Sequence, residues 1–248
     1  MRKIILCGLI MQLLFAGIGN AAQLIDAIYD EDINLVRQYV RDGADVNVRD
    51  NNGDSALQVS VGKLLVAKNI SKLFEIIEYL FDNGADVNVK NANGSTVLLS
   101  SIAAVSLLDN ISELAQKPNE IETNLAEFRL IKNRLIGICR KIIQTSKMVN
   151  ERDKESGLTS LHMAVISKNT EIPLMLIRYG ADVNADARGD GTPLFVAIEV
   201  GSLENIKLLI QHGAKLDFRS KDGETPMVYA KRKNCQECMS IIMAAGGA

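Results

Sequence analysis

Tryptophan is absent, aromatic residues make up 4% of the chain, and 248 residues hold only two histidines and four cysteines. Each scarcity closes a route. With so few large rings, a core has to be filled by Leu, Ile, Val and Ala, which suits stacked small helices. His162 and His212 both fall at recurring positions of the pattern described below, and without them no Ser-His-Asp, Cys-His or zinc-ligand spacing remains. Past residue 21 there are only Cys139, Cys235 and Cys238, too few for a disulfide framework, so the fold rests on packing. Positive charge is not in excess either. The net charge is −2, and setting aside the first 21 residues leaves 26 basic against 30 acidic side chains. That is no electrostatic footprint for nucleic acid. No glycine-rich phosphate loop follows a strand-like run. The expectation is a protein without cofactor, metal or catalysis.

What is there is a repeat. Thr159-Ser160-Leu161-His162, Thr192-Pro193-Leu194-Phe195 and Thr225-Pro226-Met227-Val228 begin 33 residues apart, and Gly180-Ala181-Asp182, Gly213-Ala214-Lys215 and Gly246-Gly247 keep the same interval. Two unlike motifs in one register mark a structural repeat. A Thr-Pro-Leu-His-like opening with a Gly-Ala-Asp-Val-Asn-like close resembles the ankyrin repeat, a β-turn followed by two antiparallel helices. The predicted fold is therefore all-α, an ankyrin-repeat solenoid with β-turn tips and one repeat enlarged by a long helical hairpin.

The first residues differ from the rest. Met1-Arg2-Lys3 is a basic start, Ile4 to Ile18 is an apolar run of about 15 residues, and Gly19-Asn20-Ala21 supplies small residues before Ala22. This predicts a signal peptide over 1–21, with an uncleaved anchor as the alternative and the only foreseen tie to a membrane. A signal on such an array points to a bacterial protein, periplasmic or secreted.

The ankyrin-repeat domain is predicted over 22–248: an N-terminal cap at 23–44, then repeats at about 50–85, 91–146, 153–180, 186–213 and 219–247. Glycine suits each close, where the residue after a helix adopts a left-handed conformation. The first full repeat carries eight extra residues around Lys63 to Lys72, expected to lengthen its first helix and the connection. The second carries about 29 extra, and helical periodicity on both sides of Lys117-Pro118 predicts a hairpin insertion over about 103–140. Thr192-Pro193 and Thr225-Pro226 are predicted to give a hydroxyl N-cap and a proline at the first helical position.

What the resemblance implies is a concave surface of turn tips and first helices that binds a protein partner of unknown identity. Carried onto this chain, the candidate tips are Asn51, Asn52, Asn93, Lys154, Glu155, Arg188, Asp190, Lys221 and Asp222. The hairpin is the competing contact. Cys235 and Cys238, at positions matching Ser202 and Asn205 one period earlier, are either free thiols, a disulfide, or the pair of a periplasmic redox-active adaptor or enzyme. Lys231-Arg232-Lys233 and the group Arg129, Lys132, Arg134, Arg140 and Lys141 read as solvated faces, with an anionic surface as the alternative. The apolar last helix, with Met239, Ile241 and Met243, is expected to be covered, by self-association or a partner.

Overall fold

The computed structural model describes residues 22–64, 66–114, 122–167 and 169–247, with no side chains from 110 to 128. The expected signal peptide and the Lys117-Pro118 break lie outside the described residues. Among these there are twelve helices and no strand, only isolated bridges such as Arg49 with Ser55 and Arg152 with Thr159.

The chain divides into two compact units, one ending at Ala92 and the other starting at Asn93. The first unit holds α1 (22–29), α2 (Ile33–Arg41), α3 (Ala56–Lys63) and α4 (Ile70–Asp82). Ser55 caps α3 in a reciprocal box: its Oγ accepts from Gln58 N–H at 3.3 Å while Gln58 Oε1 accepts from Ser55 N–H at 3.0 Å. The eight extra residues go elsewhere than expected. Compared with the 193–211 pair, α3 gains one residue, the connection three and α4 four. Most of the gain sits in α4 because Leu73, Phe74, Ile76, Ile77 and Leu80 bury a wide apolar face, which rewards extra turns of the second helix.

A carboxylate ties this unit together. Glu31, in the α1–α2 turn at φ 57°, is 6% exposed, and its oxygens accept from the backbone N–H of Lys68 (3.0 Å) and Asn69 (2.6 Å), with Lys63 Nζ 3.9 Å away. Burial pushes its pKa up, but the two N–H groups and the neighbouring lysines outweigh burial and hold it below the usual value. Its contribution is therefore complete above the unfolded pKa near 4.5 and lost as pH falls through the lower folded value. Glu31→Gln is expected to cost about 1–2 kcal/mol at neutral pH in urea unfolding, with the difference from wild type vanishing in acid.

The second unit holds α5 (Val97–Leu114), α6 (Glu122–Thr145), α7 (Ser160–Ala164), α8 (Glu171–Arg178), α9 (Pro193–Glu199), α10 (Leu203–Gln211), α11 (Pro226–Arg232) and α12 (Gln236–Ala244). The long helices α5 and α6 pack mainly on each other, α5 also on α7 and α6 on α8. Val97, Leu98, Ile102 and Val105 of α5 meet an interior that also holds Leu135, Cys139, Ile142 and Ile143 of α6, all at most 1% exposed. Each such Leu or Ile removed from water contributes roughly 1.5–3 kcal/mol. The hairpin is also held laterally: Asp109, on α5, pairs with Lys132 of α6 and accepts a hydrogen bond from the Ser167 hydroxyl beyond α7. Ser106 Oγ donates to the Met163 carbonyl at 3.0 Å, and Arg140 pairs with Glu171 at 2.5 Å.

The compact repeats end as their glycines predict. Gly213, at φ 88°, donates to Ile210 O at 3.0 Å and Ala214 N–H reaches Leu209 O at 2.9 Å, closing the last turn of α10. Leu161, Ala164, Leu194, Ala197 and Ala230 are at most 2% exposed, whereas Met227 is half-buried. One cap differs from expectation. Thr225 Oγ1 accepts from Val228 N–H at 3.4 Å, but Thr192 makes no side-chain cap; Phe195 N–H bonds the Thr192 carbonyl at 2.9 Å instead, which leaves the hydroxyl without a donor to accept from.

Candidate protein-interaction site

Each turn tip is fixed by its own first residues. In the 153–158 turn, Asp153 N–H bonds Leu158 O and Gly157 N–H bonds Asp153 O, both at 3.0 Å. The Asp153 carboxylate accepts from Glu155 N–H, Ser156 N–H and the Ser156 hydroxyl. Ser156 N–H above all, with the Ser156 hydroxyl, Glu155 N–H and Arg188, outweighs burial and holds the Asp153 carboxyl below its usual pKa. Asp50 does the same in the first unit for Asn52 and Asp54 N–H, each at 2.9 Å.

Consecutive tips are then laid on one another. Lys154 N–H bonds Asn93 O at 3.3 Å, Lys221 N–H bonds Gly189 O at 2.7 Å, and the Arg188 guanidinium bonds the carbonyls of Lys154 and Glu155, the latter at 3.1 Å. The basic side chains lie over glycines: a Cβ on Gly94 would sit 2.6 Å from Lys154 Cγ, and one on Gly157 2.7 Å from Arg188 Cγ. Lys221 also pairs with Asp190. The structure thus brings Asn93 to Lys154, Glu155 to Arg188, and Asp190 to Lys221. Asp222 is exposed in the same turn as Lys221; Asn51 and Asn52 are exposed tips of the first unit, where Asn52 O accepts from Ala92 N–H at 3.3 Å.

Beside the tips of the second unit runs a groove of about 340 Å³. Leu99, Ala103 and Met163 give it an apolar wall from α5 and α7, while Ser100, Asp153 and Ser156 supply polar edges. A depression of about 470 Å³ near Asn150 and Tyr179 is more polar and is made largely from a closing loop. The groove is the better seat for a partner, since buried apolar contact supplies affinity and a few fixed polar groups supply orientation.

The basic clusters offer little free charge to an anionic surface. Lys132 and Arg140 are paired as above, Arg232 forks onto Glu224 at 2.8 and 3.0 Å, and Lys233 holds Glu199 at 2.6 Å. Tyr229 donates to Glu199 at 2.5 Å, and burial together with that carboxylate pushes its phenol up to about 12. Of the last helix, Met243 is 65% exposed, while Met239 and Ile241 are half-buried.

Neither histidine is arranged for catalysis. His162 is fully buried: Nδ1 accepts from Thr159 N–H at 3.1 Å, which leaves Nε2–H to donate to Gly191 O at 3.3 Å. Burial lowers its pKa to about 4. His212 is exposed just past α10. The Cys139 thiol is buried and pushed up to about 12, hence inert. Among the described residues no cluster of His, Cys, Asp or Glu could hold a metal ion. Cys235 and Cys238 are joined in a disulfide at the start of α12.

Sequence reasoning assigned no role to the Asn of the closing motif. Asn150 Oδ1 accepts from Asp182 N–H at 2.7 Å and its amide donates to Gly180 O at 2.8 Å; Asn184 repeats both bonds with Lys215 N–H (2.8 Å) and Gly213 O (3.0 Å). In the first unit, Asn47 accepts from Asp86 N–H at 2.7 Å. The recurrence of Asn at this place was the available signal.

The family profile described as "Ankyrin repeats (3 copies)" matches residues 64–187 and 184–248. The chain belongs to the ankyrin-repeat family. Human protein phosphatase 1 regulatory subunit 27 is 36% identical over 86 residues, 35% of this chain and 56% of that protein, so the ankyrin-repeat chain spans about half the length of this relative. Among solved structures, an ankyrin repeat domain from Acinetobacter baumannii AYE is similar with a TM-score of 0.67 at 21% identity, over 91% of this chain and 98% of that one. A chain in the complex of a predatory endopeptidase with an immunity protein, from Bdellovibrio bacteriovorus, is similar at 0.64 and 19% identity, over 90% and 97% of the two chains. At those identities the likeness shows the fold. Ankyrin repeats act as protein-interaction scaffolds and are generally non-enzymatic.

Proposed function

We propose that this ankyrin-repeat protein is an exported, non-catalytic scaffold that holds a protein partner in the groove of its second unit. The groove itself carries the reading: an apolar wall of Leu99, Ala103 and Met163 beside exposed tips Asn93, Lys154, Glu155 and Arg188. Asp190, Lys221 and Asp222 continue that rim, and Asn51 and Asn52 offer a separate contact on the first unit. A similar chain occurs in the complex of an endopeptidase with an immunity protein, and the partner class proposed from it is an enzyme. Export is supported by the basic start, apolar run and small residues of 1–21.

The test is capture of partners on the tagged chain from periplasm and medium, with intact mass reading whether the mature protein starts at Ala22. The captured partner is then titrated against Ser100→Arg/Met163→Lys, two half-buried positions lining the groove. At least a tenfold loss of affinity, about 1.4 kcal/mol, is expected with an unchanged melting temperature. Full affinity in this variant, with loss in Leu107→Asp/Leu130→Asp, would move the site to the hairpin, where those two side chains are 45% and 61% exposed.

A further inference from the structure

The second helices of successive repeats begin in different ways. At α10, Ser202 is the N-cap and Asn205, three residues on, is fully buried; its amide donates to Ser202 Oγ at 3.0 Å, to Ser167 O at 2.5 Å and to Val165 O at 3.3 Å. One side chain thus closes its own helix start and ties it to the connection of the preceding repeat. One period later the same two places hold Cys235, the N-cap of α12, and Cys238, again fully buried. The equivalent carbonyls are those of Ile198 and Val200, and a disulfide sulfur has no N–H to offer them. What remains is the bond between the two sulfurs, with Cys238 N–H directed at Cys235 Sγ at 3.3 Å. The helix it closes packs on both α10 and α11.

We propose that Cys235 and Cys238 form an oxidation-dependent covalent helix cap that replaces the hydrogen-bonded Ser202–Asn205 cap one period earlier. It is closed by a small-molecule disulfide such as oxidised glutathione. The half-buried Cys235 is the accessible sulfur. Its thiolate attacks the oxidant, forming a mixed disulfide and releasing one glutathione thiolate. Cys238 then gives its proton to solvent, and its thiolate attacks the Cys235 sulfur, expelling the second glutathione. Two protein thiols are oxidised and one glutathione disulfide is reduced to two thiols. Only the supply of this oxidant, in an oxidising compartment, rests on the proposed export; the cap itself is independent of any partner.

Amide exchange on the full chain, followed by mass spectrometry, tests it. With the bond closed, residues 236–244 are expected to be protected; dithiothreitol should speed their exchange about tenfold, the weight of a short cross-link, and leave 203–211 within threefold. Cys235→Ser/Cys238→Asn restores the earlier pair and is expected to exchange slowly with or without reductant, while Cys235→Ser/Cys238→Ser exchanges fast in both. A change under twofold on reducing the wild-type chain, or thiols that stay open to alkylation after glutathione disulfide, overturns the cap, and the wild-type arm reads out even if the variants do not fold. Turnover in an insulin-reduction assay overturns it too, because a pair that cycles is a redox centre and not a cap.

Discussion

Acidification from neutral pH to about pH 4 is expected to remove on the order of 3 kcal/mol of folding free energy through His162 alone. The folded imidazole is neutral because burial disfavours its charge and because Nδ1, accepting from Thr159 N–H, has no room for a proton. The unfolded chain takes up that proton near the ordinary value of 6.5, the folded chain only near 4. Between those values the unfolded state binds more protons, so stability is complete above about 6.5 and declines as pH falls through the window. Urea unfolding at intervals from pH 7 to 4 measures the slope. His162→Gln is expected to flatten it between about pH 6.5 and 5, above the range where Glu31 contributes, because Gln58 holds the same place in the first unit and its Oε1 accepts the Ser55 N–H without a titrating ring. Equal slopes in wild type and His162→Gln would refute the assignment.

Lys132→Met is expected to cost about 3 kcal/mol, since it removes the cation from a carboxylate whose side chain is only 10% exposed. Asp109 would keep the Ser167 hydroxyl but lose the Lys132 ammonium at the α5–α6 contact. Loss should be concentrated in faster amide exchange along 97–114 and 122–145. Replacing both partners, Asp109→Leu with Lys132→Met, should recover at least half of the loss, because two apolar side chains leave no buried charge. A double variant as weak as the sum of the singles would show that the pair is not coupled.

The order and spacing of the helices could be read from the sequence because Thr159, Thr192 and Thr225 keep one register with Gly180, Gly213 and Gly246, and because Leu or Met and then Ala recur behind each threonine. The pairing of α5 with α6 was legible from their apolar periodicity. Contacts joining residues far apart were not. Asp109 and Ser167 are 58 residues apart and Glu31 lies 38 from Asn69. Nothing local distinguishes them from solvated polar residues, since their partners are backbone groups or side chains of other repeats. The tips were legible as positions, but their chemistry was not: Arg188 looks like a free binding residue until its guanidinium is seen on the carbonyls of Lys154 and Glu155. The groove is a property of α5, α7 and the intervening turn together, so no single stretch announces it.

The asparagine bonds between closing loops bear on how such a chain can change length over generations. Asn150 and Asn184 grip only main-chain atoms of the following loop, whether the residue donating its N–H is Asp182 or Lys215. A recombination event that deleted residues 182–214, a single period, would deliver the N–H of Lys215 to Asn150 in place of that of Asp182, with Gly180 O still in reach. These asparagine bonds are indifferent to the side chain of the residue they accept from, so a unit lost or duplicated at the gene level leaves them intact at the seam.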